Sequence, residues 1–287
     1  MKIIKIGDKE YFYSNDIREN NEVRNSFNKL ALETFDLSFD GWYQSGFWNE
    51  NYRPFVLLDG TRVVANVSAN ILDFDIKEER KKTVQIGTVM CDHDYRNQGL
   101  VRYLMDRVIE TFETSMDAIY LYANGSVLEF YEKFGFKPAL EYHQTFQTYP
   151  LISTFKHVVL DPRTIASLQS AFEQGNAMSS ARMKNNFDLV MFYCTGPFNN
   201  SVYYSEVHNC FAIYEDGVLY DLYGKDADLK TILHELGNGT SITLGFMAEG
   251  LLEPVTAVLE EDTYLFVYNK LENIFAEPLL LPLLSHA

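Results

Sequence analysis

The sequence predicts an α/β protein with mixed sheets, built as two successive units. Three observations carry this reading. β-rich runs alternate with amphipathic helical runs through residues 1–150. The same order of elements returns more loosely in residues 151–287. A chain of 287 residues is also long enough for two ordinary domains, each burying a core of its own.

The elements follow in order. "EYFYSND" is a short strand, "NEVRNSFNKLALETF" spaces its apolar residues as a helix does, and "FDGWYQSGFW" is a second helix. "RPFVLLDGTRVVANVSANILDFDI" is a hairpin of two β-rich runs joined at Asp59-Gly60, a strong turn dipeptide. "KKTVQIGTVMC" is a further strand, followed by the helix "LVRYLMDRVIETFE", the strand "AIYLYAN" and the helix "SVLEFYEKF". That last helix stops at Gly135, well placed as a left-handed cap. "YPLISTF" (149–155) is the linker. The second half begins with the strand "FKHVVLD" and the helix "DPRTIASLQSAFEQ", which has Asp161 as its cap and Pro162 at its first position. "SARMKNNFDLVMFY" is another helix, "CFAIYEDGVLYDLYG" a hairpin turning at Asp216-Gly217, and "DADLKTILHEL" a helix; "SITLGF" and "TYLFVYN" are strands.

Composition narrows the function. Apolar residues make up 47% and aromatics 15%, the profile of a well-packed globular chain. No apolar run reaches membrane-spanning length, and charges interrupt the N-terminus where a signal peptide needs an apolar core. Cys91, Cys194 and Cys210 are odd in number and lack metal-ligand spacing, so free thiols in a reducing cytoplasm are expected, with no metal. The formal net charge is −16, which repels nucleic acid and anionic membranes and attracts a cationic small molecule. Residues 1–150 hold 17 basic and 23 acidic side chains, against 7 and 17 in the remainder, so a site for an anion belongs in the first half.

One stretch there could be such a site. In "DYRNQGLVRYLMDRV" (94–108) a strand delivers the chain into a helix start, aiming unpaired N–H groups and the positive end of the helix dipole at one point. Asn97, Gln98, Gly99 and Leu100 each offer an N–H, Gly99 lets the backbone come close, and Arg96 and Arg102 add positive charge. By itself this is a weak signal, since a glycine before a helix is more often only a turn.

A second stretch, one helix and one strand downstream, sharpens it. Together, Arg96-Asn97-Gln98-Gly99-Leu100-Val101 and the series Asn124, Val127, Tyr131, Gly135-Phe136 resemble the GCN5-related N-acetyltransferase (GNAT) family. The first matches that family's Arg/Gln-x-x-Gly-x-Gly/Ala cofactor loop, and the second its Asn-to-Tyr spacing ending in Gly-Phe. The resemblance covers residues 1–150, with its strong motifs in 84–137. It departs at Val101 and Val127, where the family has smaller residues; a valine at 101 would push the phosphates outward without abolishing binding.

The resemblance implies an acyl-CoA N-acyltransferase fold, two tandem GNAT-like domains, and acetyl-coenzyme A as cosubstrate. Val89 and Cys91 would offer backbone groups to the pantetheine arm, one N–H acting as the oxyanion donor. Arg96, Asn97, Gln98, Gly99, Leu100, Val101 and Arg102 would hold the pyrophosphate, and Asn124 the arm beyond the next strand. Tyr131 would protonate the departing thiolate, a phenol of ordinary pKa ~10 being reasonably matched to it; its competing role is core packing. The central strand offers Thr83 and Gln85, neither a base, so His93 is the candidate general base, although a turn histidine is more often simply solvated. Cys91 reads as packing rather than as a nucleophile.

In the family the first two helices wall the acceptor site. Here that region supplies Phe35, Phe39, Trp42, Tyr43, Phe47, Trp48 and Tyr52 beside Glu33, Asp36, Asp40 and Glu50. Aromatic faces with carboxylates suit an organic cation, and Phe39, Trp42 and Tyr43 are the substrate-binding candidates. The second half reads "YGKDADLKTI" where a cofactor loop would stand; Lys225 is followed by Asp226 and Asp228, which oppose a pyrophosphate. Residues 151–287 are therefore a degenerate, non-catalytic GNAT-like domain that caps or frames the acceptor site, and the Ala287 carboxylate is an outside candidate for the base. The expected activity is direct acetyl transfer to a small, cationic amine acceptor, with no nucleic-acid or membrane partner and a homodimer left open. The rival is a non-enzymatic acyl-CoA-binding or scaffold protein.

Overall fold

The computed structural model describes residues 1–224, 228–249, 255–258 and 263–286. The chain opens with strands β1 (Lys2–Ile6) and β2 (Lys9–Ser14) and helix α1 (Asn21–Phe35), whose first turn is capped by Asn20 Oδ1 on the Val23 N–H at 3.2 Å. Short α2 (Asp40–Gln44) leads into three long strands, β3 (Tyr52–Asp59), β4 (Arg62–Ile76) and β5 (Glu79–Cys91). Next come α3 (Leu100–Phe112), β6 (Ala118–Ala123), α4 (Leu128–Glu132), β7 (Phe136–Pro138) and β8 (Glu141–Gln147). After the linker follow β9 (Lys156–His157), α5 (Pro162–Gln174), β10 (Ala181–Lys184), α6 (Phe187–Thr195), β11 (Val202–Ser205), β12 (Cys210–Glu215) and β13 (Val218–Tyr223). Helix α7 (Leu229–Gly237) and strands β14 (Ser241–Leu244), β15 (Val255–Val258) and β16 (Tyr264–Tyr268) complete it.

Two mixed sheets result. The first runs β1-β2-β3-β4-β5-β6-β16-β7, with β10 paired to the far end of β4; the second runs β15-β8-β14-β13-β12-β11-β9. Among the described strands β5 with β6 and β13 with β14 pair in parallel, and in each case a helix makes the crossover. β3-β4-β5, α3, β6 is thus repeated as β11-β12-β13, α7, β14, the shared order of elements expected from the sequence.

The sheets do not divide at residue 150. β8 precedes that point yet pairs with β14 of the second sheet, Ser241 opposite Gln147 through Leu244 opposite Gln144. β16 comes from near the end of the chain yet sits between β6 and β7 of the first. Each half gives the other its strand next to the parallel pair. "TYLFVYN" has a strand's local pattern, but which edge it pairs with is a tertiary decision. "SARMKNNFDLVMFY" is not one helix: Ala181–Lys184 is strand β10, drawn into pairing with β4 opposite Ile76 to Asp73, and the helix begins at Phe187. Beta pairing overrides the helical reading because the ladder satisfies the backbone there.

Four buried clusters hold the molecule. α3 lays Leu104, Met105, Val108 and Phe112 on one face of the first sheet, against Phe55, Leu57, Val84 and Ile86. α1 and α2 pack an aromatic group, Phe27, Phe39, Trp42, Trp48 and Tyr52, on the other face. A third cluster mixes both halves, Leu72, Phe74 and Tyr120 with Leu168, Phe187, Val190 and Leu284, so the halves share a core. The fourth lies against the second sheet around Ile232, Leu233, Ile242 and Leu244.

Candidate active site

The site is made where the first sheet splits. β5 pairs with β6 from Thr83–Ala118 to Ile86–Leu121, and among the described residues no pairing continues beyond that point. The next residues of β5 form a bulge: the register with β4 shifts between Asn66 and Ser68, and Thr88 adopts φ 48°, unusual for a β-branched residue. A buried ring of hydrogen bonds keeps it there. Asn66 Nδ2 donates to Thr88 O (2.7 Å) and to Ser68 Oγ (2.9 Å), Ser68 Oγ lies 2.9 Å from Tyr52 Oη, and Tyr52 Oη lies 3.1 Å from Thr88 Oγ1. The bulge bends β5 away from β6 and opens a V between them.

The loop of residues 96–99 stands at the mouth of α3. Gly99 takes φ 84°, and no side chain caps the helix, so the first-turn N–H groups keep no intrahelical or capping acceptor. Glycine is needed for that conformation, while a Cβ there would meet nothing nearer than Ile6 Cγ2 at 3.8 Å. Asn97 is also left-handed, φ 59°. Arg96 Nε donates to Cys91 O (3.3 Å), and Gln98 Nε2 to Asp94 O (3.1 Å). Gln98 Oε1 accepts from Tyr11 (3.2 Å) and Lys9 (3.4 Å), so β2 fixes the loop and brings a further cation to it. Sequence spacing could not show this contact from a remote strand. Arg102 is exposed, its guanidinium 5.4 Å from the Phe134 ring, and Leu100 is buried. Val101 is half-buried, packed on the core under α3.

Tyr131 lies on α4 with 6% of its surface exposed, its ring 6.2 Å from Phe266 of β16 and 5.3 Å from Phe130. Burial pushes its phenol up to about 12. Asn124 is exposed at the end of β6; its Oδ1 accepts from Ser126 N (3.0 Å) and Oγ (2.7 Å). Val89 and Cys91 are half-buried on the bulged end of β5, and burial raises the Cys91 thiol above its ordinary value.

A cavity of about 290 Å³ opens at the apex of the V. From the first half come Leu37, Phe39, Trp42, Tyr52, Asn70, Gln85, Thr88 and Tyr122, and from the second Leu189, Phe192, Tyr193, Thr263 and His286. Side chains alternate along a strand, so Gln85 and Tyr122 face this cavity while Val84, Ile86 and Leu121 face α3. His286 stacks on Tyr122 (4.0 Å), its carbonyl accepts from the Tyr193 hydroxyl, and burial holds its imidazole down to about 3, hence neutral. Tyr122 donates to Glu141 Oε1 at 2.9 Å, just behind the wall.

Phe39 and Trp42 therefore do wall the cavity, with Tyr52 beside them. Tyr43 instead packs under the Arg24 guanidinium at 3.6 Å, away from the cavity. His93 is exposed on its turn, 87% of the side chain open, and is not among the cavity residues. Glu33, Asp36, Asp40 and Glu50 are exposed and do not line it. Lys225, Asp226 and Ala287, the residues read as a spoiled second loop and as an outside base, lie outside the described residues. Asn70, Leu189, Phe192, Tyr193 and His286 were not legible as site residues, because only the docking of α6 and the chain end onto the first sheet brings them there.

A mixed sheet splayed next to its parallel pair, with an uncapped helix start at one side and a cavity at the apex, is the layout shared with GNAT-fold structures. Residues 21–136 match the model of the acetyltransferase (GNAT) family. Solved structures share the fold over most of the chain. A GCN5-related N-acetyltransferase from Kribbella flavida is 15% identical, TM-score 0.58, covering 90% of this chain and 71% of that one. One from Anabaena variabilis is 14% identical, TM-score 0.55, covering 90% and 72%. A conserved protein of unknown function from Enterococcus faecalis is 13% identical, TM-score 0.59, covering 90% and 72%. No curated protein matches the sequence.

Proposed function

We propose that this protein transfers an acetyl group from acetyl-coenzyme A to the amine of a small acceptor, by direct attack within a ternary complex. The observation that carries the reading is the coincidence of three features at one split in the sheet: the uncapped start of α3 at Gly99, the unpaired edge of β5 after Ile86, and the cavity at Gln85 and Thr88. The residues fit the cosubstrate. The first-turn N–H groups of α3, with Lys9, Arg96 and Arg102 near them, suit a pyrophosphate. The β5 edge supplies amide groups for the pantetheine arm and the thioester carbonyl, and the exposed Asn124 a side-chain amide for the arm. Bound there, the thioester supplies the activated acyl group.

Tyr131 stands on the α3 side of the V. A phenol held to about 12 keeps its proton at neutral pH. A thiolate of ordinary pKa ~8.5 would not take that proton outright, so Tyr131 works by hydrogen-bonding the sulfur as charge develops. The acceptor enters from the opposite face through the cavity. The chain's net charge of −16 draws an ammonium toward the molecule, and burial against the cavity wall favours its neutral, nucleophilic form. The three cysteines are free thiols, in keeping with the cytoplasm, where we place the protein; among the described residues no helix is long and apolar enough to cross a membrane.

The test is thiol release from acetyl-coenzyme A over a panel of small amines, with calorimetry of coenzyme A alone. Acceptor-dependent release supports the transferase. Tight binding without release for any amine supports the rival, a non-enzymatic acyl-CoA-binding protein. No binding removes both.

A further inference from the structure

Resting on the transferase reading of the same site, we propose that helix α6 of the second half selects the acceptor. Phe192 sets the size of what enters, and the acceptor carries its amine on an apolar body held between Phe39 and Trp42 on one side and Leu189 and Phe192 on the other. Leu189, Phe192 and Tyr193 are three and four residues apart on α6, so they share one face of the helix, and all three line the cavity. The Phe192 ring lies 5.6 Å from that of Phe39 and 5.5 Å from that of Trp42, closing an aromatic wall that neither half makes alone. Phe39, Trp42 and Leu189 are buried, whereas Phe192 is only half-buried. Of these four, Phe192 keeps the most surface open. The amine end must reach the thioester at the β5 edge beside Thr88, which leaves the acceptor's body to this wall.

The start of α6 is fixed to the first half from two directions. β3 begins at Tyr52, opposite Asn70, while β4 runs on to Ile76, so the last part of β4 shows an edge that β3 does not cover. The second half takes that edge. The buried Asn186 side chain accepts from Asp73 N at 3.2 Å and donates to Ile71 O at 2.8 Å, prolonging the ladder in which Lys184 of β10 stands opposite Asp73. Asn186 precedes α6 but does not cap it, because its side chain is engaged on β4. Two residues on, the Asp188 carbonyl accepts from Trp42 Nε1 at 2.7 Å in the interior. Leu189 and Phe192 are therefore carried on a helix anchored to β4 and α2, and they cannot give way to a larger ligand as a loop would. A rigid apolar wall discriminates by volume. Each methylene that fits contributes about fourfold in affinity, and one that overfills the space forces strained packing. The cavity, about 290 Å³, is at the small end for ligand sites.

The experiment uses the full chain, acetyl-coenzyme A and three primary amines of rising bulk: ethylamine, cyclohexylmethylamine and 1-adamantylmethylamine. Thiol release should give the parent a kcat/KM about tenfold or more higher for cyclohexylmethylamine than for ethylamine. In Phe192→Ala the preference for adamantylmethylamine over cyclohexylmethylamine should rise about tenfold or more relative to the parent. In Phe192→Trp the preference for cyclohexylmethylamine over ethylamine should fall by a similar factor. A coenzyme A Kd close to that of the parent, measured by calorimetry, shows that each variant is folded. Ethylamine preferred by the parent, or either ratio unchanged in its folded variant, would overturn the inference and leave the transferase standing. If no amine releases thiol, the transferase reading falls; the same ratios, read by calorimetry as affinities for the coenzyme A complex, then decide whether Phe192 sizes the ligand.

Discussion

The ring of Phe266, on the strand contributed by the end of the chain, packs 6.2 Å from the ring of Tyr131. The residue proposed to meet the departing sulfur is thus packed against a strand from the second half of the chain. Gly135, three residues past α4, is pressed from the same side: a Cβ there would meet Asn269 Oδ1 at 3.2 Å and the Tyr268 ring at 3.4 Å.

Tyr131→Phe separates chemistry from packing. No hydrogen bond to the Tyr131 hydroxyl is found among the described residues, and the ring is buried, so the variant should melt within a few degrees of the parent. Acetyl transfer should fall by roughly 10²-fold or more, the range for one lost hydrogen-bond donor to charge developing in the transition state. Equal rates would make Tyr131 a packing residue. With the phenol at about 12, kcat/KM of the parent should also show no alkaline loss from this group below pH 10.

Residues 1–150 expressed alone should not fold. Without β16 the edge of β6 is bare and β7 has no partner, while β8 is left with none of its own sheet. Circular dichroism should show little tertiary signal and calorimetry no coenzyme A binding, and coexpression with 151–287 should restore both. A stable, cofactor-binding 1–150 fragment would show that the exchanged strands are dispensable.

Gly99→Ala tests the loop. At φ 84° a side chain costs about 1–2 kcal/mol even with room around it. Displacing one N–H from a charged ligand loses ~1.5–3 kcal/mol, so the coenzyme A Kd should rise about tenfold or more. An unchanged Kd would rule out phosphate binding at this helix start.

His286 sets an acid limit to stability. Folded, its imidazole resists a proton until about pH 3; unfolded, it takes one near 6.5. Protons therefore favour the unfolded chain between these values, and a contribution fully present above pH 6.5 is lost as pH falls. Glu141 at 3.6 Å and His143 face the same ring. Asp188 and Asp221, each raised to about 6 by burial, act in the opposite sense, but they are common to parent and variant. From pH 6.5 to 4 the Tm of His286→Gln should fall less than that of the parent. Parallel Tm curves would place the titration elsewhere.

The sequence alone determined what local chemistry controls. Asp161 caps α5 by accepting from the Arg163 and Thr164 amides at 2.9 and 2.8 Å, and Asp216-Gly217 turns its hairpin with φ 47° and 83°. Gly99 opens α3, and the spacing of Asn124, Tyr131 and Gly135 marked the GNAT domain, because these features depend on neighbours a few residues away. Only the tertiary structure decided that β8 and β16 exchange sheets, that Asp40 and Glu50 stay outside, and that Asn70, Phe192 and His286 meet in one cavity. Strand pairing and pocket assembly join residues far apart in the chain, where alternation fixes which face a side chain takes but not what stands opposite it.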